Sequence, residues 1–592
     1  MQSLKQSSLI KSRWNIPIPY CSLPYFVFGA PHECLSTKKL LIDTLRPEDR
    51  SLSLAEYRSL SVRVAVGLRR LGVQHKDRIL CLSGNSIAYP ALLMGTIMAG
   101  CIFVPGQPSH GPRELEKLLT VANPSVILTQ RVHTDTLLEA AETVSCPALE
   151  QKSIFIFDDD ILDCTGESYL DIPHWQELVG SQADSDWKYP DVESPHDYNS
   201  TIVIMFTSGT TGHPKGVEIS HCNYISASVS YMQRVSLHPD WQQPMKDAAK
   251  DFSPIRVLGA LGMHHILGQR SYSVIFPKLG VPLYILGQPS PQNIMDAVET
   301  FKISDAIIRS SMLTAIAESP ALDLRKKLGS LARVEACAAP MGQPTKSTLE
   351  KVGIGRVTRV WGLTELGLIT GHDTMACSIS ESVGELHANF EGKVTDPSEP
   401  TRIVDRNTIG DIWIRTPSRS TGYYQNPDAT SEVLGADGWF STGDVGYVDE
   451  EGKWYIVDRK KDLIKSNGNH VAPTELEDIL LRHPDIMDVG IIGVAVDQDE
   501  GPRAYIVTVP QSVVSVTEIQ HFMVDKVAPY KYLSGGISFI PSIPRNSNGK
   551  ILRAQLRELA KMELGGSKGH YHGIRAVSLD ILHTSVPTNI LP

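Results

Sequence analysis

No apolar run in this sequence is long enough to cross a membrane. The longest, Ala91–Val104, falls short of the ~20 residues that a membrane helix needs and carries two glycines. It reads instead as a buried helix leading into a strand. Basic residues are not in excess: 56 lysines and arginines stand against 66 aspartates and glutamates, a formal charge of −10. That balance excludes a general electrostatic footprint for nucleic acid or an anionic membrane, so any phosphate binding must be local. Cysteine is sparse. Nine are scattered from Cys21 to Cys377 without a C-x-x-C pair, which points to reduced thiols in a cytosolic compartment rather than a disulfide scaffold. The first twenty residues lack the continuous apolar stretch of a secretory signal, and their basic, amphipathic character leaves an organelle-targeting reading open. There is no internal repeat and no coiled-coil heptad.

What is present is ample material for folded cores. The chain has 592 residues, 42% hydrophobic and 21% charged, too many for one core and close to the soluble average, so two or more domains are expected. From about Thr37 to Gln130 helix-like patterns such as "LAEYRSLSVRVAVGLRRLGV" alternate with short apolar strands such as "DRILCLSG" and "SVILTQ", which predicts a parallel α/β sheet. The polar, proline-bearing Gly180–Ser200 stretch reads as a surface connection, and the acidic triplet Asp158–Asp160 as a solvated turn. After Asp411, alternating residues and Gly/Asp turns predict antiparallel strands. A terminal unit from Arg459 to Met562 mixes a helix, "TELEDILLRH", with the strands "DVGIIGVAV" and "RAYIVTV".

The chemistry starts at "MFTSGTTGHPKGVEISH", Met205–His221. Glycines there let backbone N–H groups approach an oxyanion, the hydroxyls of Thr207, Ser208, Thr210 and Thr211 donate further hydrogen bonds, and Lys215 adds a compact charge. A Walker A loop is excluded, because the spacing from Gly209 puts Pro214 where the second glycine belongs. On composition alone such a run is more often a flexible turn.

The exact string "TSGTTGHPKG" resembles the signature loop of the adenylate-forming superfamily: acyl-CoA ligases, peptide-synthetase adenylation domains and firefly-type luciferases. The superfamily's other motifs follow in order. "GMHHILGQ" resembles its H-x-x-G segment at His265 and Gly268, "ACAAPMG" (Ala336–Gly342) its G-A-A-P-L, and "VWGLTELG" (Val360–Gly367) its Y-G-x-T-E. Then come "GYYQNPDAT", "GWFSTGDVGYVDEEGKWYIVDRKKDLIKSNGNHVAPTELE" and "PRNSNGKILR". The resemblance covers roughly residues 40–562. It implies an α/β fold: a large N-terminal domain (37–458) of two α/β sheets plus a β-barrel-like part, and a small mobile C-terminal α+β domain (459–562). Residues 1–36 are then an extension and 563–592 a tail.

The resemblance also implies roles. Thr207, Ser208, Gly209, Thr210, Thr211, Gly212 and Lys215 would hold ATP phosphates, and Glu365, beside Thr364, would suit Mg²⁺, which prefers oxygen ligands. Trp361 would stack on adenine in place of the usual tyrosine, with Ala338 and Gly362 beside it, and Asp444 would accept the ribose hydroxyls. Arg459 would reach ribose or phosphate, and Lys461 occupies the hinge position. Lys550 matches the lysine that neutralises charge on the reacting carboxylate and α-phosphate. His265 would gate the carboxylate, with His264, Leu368 and Ile369 walling the acyl pocket. Lys465 and Gly468 match the CoA-side segment, but Asn467 replaces a lysine there, and His264 stands where an aromatic is usual.

The expected activity is an ATP-dependent carboxylic acid:CoA ligase, similar to 4-coumarate–CoA ligases and acyl-CoA synthetases, acting on an apolar aliphatic or aryl acid. ATP, Mg²⁺ and CoA would be its cofactors. One alternative is an acyl-AMP ligase that loads a separate carrier protein; "LGGSK" (Leu564–Lys568) faintly resembles a phosphopantetheine attachment site, but too little chain follows to complete a carrier. Others are a luciferase-like oxygenase and a non-catalytic nucleotide-binding relic. An amino-acid substrate is disfavoured because "GMHHILGQRSY" offers no carboxylate for an ammonium. The chain ends "NILP" rather than in a peroxisomal Ser-Lys-Leu-type signal, so a cytoplasmic location is expected.

Overall fold

The computed structural model describes residues 9–162, 164–207, 215–237, 255–317, 319, 324–337, 348–349, 351–352, 354, 356–372, 382–466, 469–496, 499–524, 526–545 and 549–565. Two compact units divide it: residues up to Val457 with 547–549, and Asp458–Asn546 with the chain from Lys550 onward.

In the larger unit, the alternation read from the sequence becomes two seven-stranded sheets. One contains the parallel strands Ile102–Gly106, Arg78–Leu82, Val126–Thr129 and Ile154–Ile156, joined through Phe103 and Val203 to the parallel strand Thr201–Thr207. Its edge is closed by the antiparallel strands Lys215–Ser220 and Gly422–Tyr423. The other carries Arg356–Arg359, Arg333–Cys337, Asp305–Arg309, Val257–Gly259, Leu283–Ile285 and Lys39–Asp43 in parallel, with Ser51–Ser53 antiparallel at the end.

The 54–71 helix shows how locally the sequence sets these elements. Ser53 and Glu56 form a reciprocal capping box at its start, and Gly72 closes it at φ +93°. Its buried face meets the wholly buried Tyr89–Met98 helix, the apolar run noted above. Phe103, Trp175, Tyr224 and Tyr272 belong to the same core. The barrel-like part is an antiparallel sheet built from Ile10–Lys11, Glu391–Thr395, Gly410–Arg415 and Phe440–Val448, continued by the strand from Trp454. A three-stranded sheet, Trp361–Leu363, Gly367–Gly371 and Glu385–Leu386, shares its core.

The smaller unit is α+β. Strands Ile486–Val496 and Asp499–Thr508 run antiparallel, and Ile537–Phe539 joins the second in parallel. The helices Pro473–Leu480 and Val516–Val524 contribute Leu476, Leu480, Ile519 and Met523 to one core, while Leu556 and Ala560 of the Arg553–Gly565 helix contribute to another.

The acidic triplet is a correction. Asp158–Asp160 is no solvated turn: Asp158 bonds the ring of buried His174 at 2.8 Å, Asp160 pairs with Arg50, and Asp159 accepts from the Ser86 hydroxyl and the Ala88 N–H. Burial pushes the Asp159 carboxyl up to about 6, against those hydrogen bonds. The Gly180–Ser200 connection is also more than surface, because Tyr189 is buried and its hydroxyl donates to the Gly29 carbonyl. Among the described residues, no helix is long and apolar enough to cross a membrane.

Candidate active site

Thr207 ends the last of the parallel strands and pairs with Lys215 across an antiparallel register, its hydroxyl donating to the Lys215 carbonyl at 3.3 Å. Ligands of open α/β sheets gather at this carboxyl end of the strands. The residues Ser208, Gly209, Thr210, Thr211 and Gly212, together with Ala338 and Gly468, lie outside the described residues.

Lys215 and Glu365, 150 positions apart, are joined through one residue to which the sequence reading gave no role. The Lys215 ammonium stands 5.1 Å from the centre of the Tyr423 ring, and the Tyr423 hydroxyl donates to Glu365 Oε1 at 2.8 Å. Local sequence places that ring. Gly422 and Tyr423 pair with Glu218 and Val217, Asn426 caps the next helix by accepting from the Ala429 N–H, and Pro427 fills its first position. The signal available in the sequence was a phenol inside "GYYQNPDAT", one of the matched segments.

Glu365 sits at the tip of a hairpin. The strands Trp361–Leu363 and Gly367–Gly371 are connected by the turn Thr364–Leu366, and Gly367 closes it at φ +80°, a conformation that favours glycine. Gly362 pairs with Leu368 across the hairpin. The Ser420 N–H donates to the Glu365 carbonyl at 2.7 Å, so backbone and side chain are both held.

At the other end of the same strand, Trp361 is 8% exposed and its indole N–H donates to Asp444 Oδ2 at 2.9 Å. Its ring stacks on Trp454 with centroids 6.2 Å apart. Asp444 is 3% exposed, and its own N–H donates to the Thr442 hydroxyl. The residues to which the resemblance gave the adenine and the ribose hydroxyls are therefore in contact with each other.

The rings of His264 and His265 lie 4.3 Å apart. His265 precedes the helix Ile266–Arg270, and Gly268 is needed in its first turn because a Cβ there would meet the Gly262 carbonyl at 2.4 Å. Burial holds His264 well below the usual histidine range, with His265 and Arg309 acting in the same direction, so it is neutral near pH 7. Leu368 is half-buried against the core of the two sheets. Ile369, expected beside it in the pocket, is 0% exposed and packed with Leu366, Val383 and Phe390, which makes it a core residue.

The remaining residues belong to the smaller unit. Asp458 accepts from the backbone N–H of Arg459 and from the N–H and hydroxyl of Thr474. Lys461 is exposed overall, but desolvation of its ammonium lowers it to about 8, opposed by Asp462 and reinforced by Lys550, Arg459 and Arg557, so Lys461 and Lys550 share one electrostatic neighbourhood. Lys465 is exposed on the hairpin Ile464–Val471, where its backbone N–H donates to Glu500.

The family model "AMP-binding enzyme" matches residues 35–424, and "AMP-binding enzyme C-terminal domain" matches residues 475–550. The chain is similar to "Phenylacetyl-CoA ligase epaB" of Aspergillus niger, 32% identical over 86% of this chain and 92% of that protein. It is also similar to "4-coumarate--CoA ligase-like 2" of Arabidopsis thaliana, 30% identical over 93% and 92%. Among solved structures, ATP-bound MatB from Rhodopseudomonas palustris shares the fold at a TM-score of 0.76 and 23% identity, covering 91% of this chain and 99% of that one. The AMP complex of MenE from Bacillus subtilis does so at a TM-score of 0.70 and 22% identity, over 89% and 97%. With a family model matching more than half of its length and relatives this similar across most of it, the chain belongs to the AMP-binding enzyme family.

Proposed function

We propose that this protein is an ATP-dependent carboxylic acid:CoA ligase. In the first step a carboxylate oxygen attacks the α-phosphorus of ATP, and the bond to the bridging oxygen breaks as pyrophosphate leaves with its electron pair. In the second, the CoA sulfur, having lost its proton, attacks the acyl carbon and AMP leaves. The observation that carries this reading is the Lys215–Tyr423–Glu365 connection, which brings a cation and a carboxylate from two matched motifs to one place.

Lys215, Thr207 and the loop after it take the phosphates, and positioning and electrostatics do the work of such transfers. Among the described residues no cluster of three potential ligands could hold a metal by itself. A lone Glu365 nonetheless fits Mg²⁺, which keeps its waters and binds through one or two carboxylates plus substrate phosphates. When bound, the ion would neutralise phosphate charge. Tyr423 fixes Glu365 in orientation, Trp361, Gly362, Thr364 and Asp444 face the nucleoside, and His265 meets the carboxylate. From the smaller unit, Lys550 neutralises charge in the first step, Arg459 reaches the nucleotide, Lys461 is the turning point, and Lys465 and Gly468 serve CoA. A carrier-protein thiol in place of CoA would use the same first step. Eight cysteines among the described residues are free, which supports a reducing, cytoplasmic location.

The test is Glu365→Gln. The folded variant is expected to lose most acid-dependent pyrophosphate release, and wild-type release would remove Glu365 from this role. Running the assay with and without CoA identifies the acceptor.

A further inference from the structure

Arg270 ends the short helix that begins after His265, at the point where the chain widens into the π-turn Ser271–Ile275. Such widened turns frequently mark functional sites. The residue is 4% exposed, yet no carboxylate among the described residues pairs with it, and its Nε is sealed from solvent without a hydrogen-bond acceptor. The guanidinium carbon lies 5.3 Å from the centre of the Tyr224 ring. Tyr224 in turn directs its hydroxyl to Gln269, so it supplies no counter-charge.

The guanidinium reaches the motif hairpin. A Cβ built on Gly367 would stand 2.6 Å from Arg270 Nη1 and 3.1 Å from the Ala227 Cβ. The charge therefore lies against the residue two positions after Glu365 and next to Leu368. Buried hydroxyls on the adjoining turn, Ser271 and Ser273, also lack hydrogen-bond partners among the described residues. Burial pushes Arg270 down to about 10, still charged at neutral pH. Burying a charge without a partner is strongly unfavourable, and a bidentate oxyanion is the partner that a planar guanidinium fits.

From these contacts we infer that Arg270 binds a second carboxylate at the far end of the substrate, so that the acid is a dicarboxylate with an apolar body. This rests on the ligase reading. His265 meets the reacting carboxylate and Arg270 the distal one. Five residues of helix separate them by roughly 7 Å along the axis, which suits a short to medium chain whose middle passes Leu368.

The experiment compares wild type, Arg270→Met and Arg270→Lys on matched pairs of mono- and dicarboxylic acids of equal chain length. Acid-dependent pyrophosphate release and thermal unfolding are both measured. Wild type is expected to favour the best diacid at least tenfold in kcat/KM. Arg270→Met should lose about a hundredfold on that diacid with little change on the monoacid, and should unfold no lower than wild type, because it removes an unpaired buried charge. Millimolar diacid alone should raise the wild-type Tm but not that of Arg270→Met. If Arg270→Met fails to fold, Arg270→Lys should keep a weakened diacid preference. Equal use of both acids by wild type, or an unchanged profile in the folded variants, would overturn the inference while leaving the ligase reading intact. Absence of turnover with every acid would instead sink the ligase reading, and the diacid-dependent Tm shift would still decide Arg270.

Discussion

Replacing Tyr423 separates two contacts that converge on one ring. Tyr423→Phe removes the 2.8 Å hydrogen bond to Glu365 but keeps the ring under the Lys215 ammonium. A hydrogen bond to a charged acceptor contributes about 1.5–3 kcal/mol when well buried. Both residues here are half-buried, so about 1.4 kcal/mol is the fair figure, a tenfold loss in the rate of acyl-adenylate formation. Tyr423→Ala also removes the cation–π contact, about 1 kcal/mol more and a further factor of about five. The assay is acid-dependent pyrophosphate release under single-turnover conditions, with Mg²⁺ titrated. Conversion of supplied acyl-AMP and CoA to acyl-CoA is the control and should stay near wild type, because Glu365 is assigned to the phosphates. Because Tyr423 orients the proposed ion ligand, Tyr423→Phe should also need more Mg²⁺ for half-maximal rate. A folded Tyr423→Phe with unchanged adenylation and unchanged Mg²⁺ dependence would refute the reasoning, as would equal losses in both half-reactions.

Two further outcomes follow from the burial of particular side chains. Leu368→Ala should shift kcat/KM toward a bulkier acid by roughly 1–3 kcal/mol, the scale of one methylene in an apolar pocket; an unchanged preference across a panel of acids would take Leu368 out of the pocket. Glu335 is half-buried and accepts from the Tyr231 hydroxyl at 3.0 Å, and desolvation of its carboxyl raises it from 4.5 to about 7. The folded state thus holds this proton more tightly than the unfolded chain, so its stabilising effect is present at low pH and is lost as pH rises through about 7. Glu335→Gln should therefore match wild type near pH 4.5 and exceed it by about 3 kcal/mol at pH 8 in urea unfolding of the larger unit. A difference that does not vary with pH would contradict the assignment.

How much of this was legible in the sequence depends on how far apart the partners lie along the chain. The strands Arg78–Leu82 and Val126–Thr129 and the 54–71 helix follow from local periodicity. The Asp158–Asp160 triplet looked solvated because its partners Ser86, His174 and Arg50 are distant in sequence. Tyr423 escaped for the same reason, since it meets Glu365 across 58 positions. Ile369 and Leu368 are equivalent as letters, and only the packing of the hairpin against two different cores tells them apart. Arg270 reads as an ordinary helix-end cation until its burial is seen.

The two-step chemistry is tested most directly by giving Lys550→Ala each half-reaction separately. Lys550 is assigned to the attack of the carboxylate on the α-phosphate and to nothing afterwards. With acid and ATP, the folded variant is expected to release almost no pyrophosphate; with pre-made acyl-AMP and CoA, it should form acyl-CoA at close to the wild-type rate. Loss of both half-reactions to the same extent, or an adenylation rate equal to that of wild type, would contradict the account.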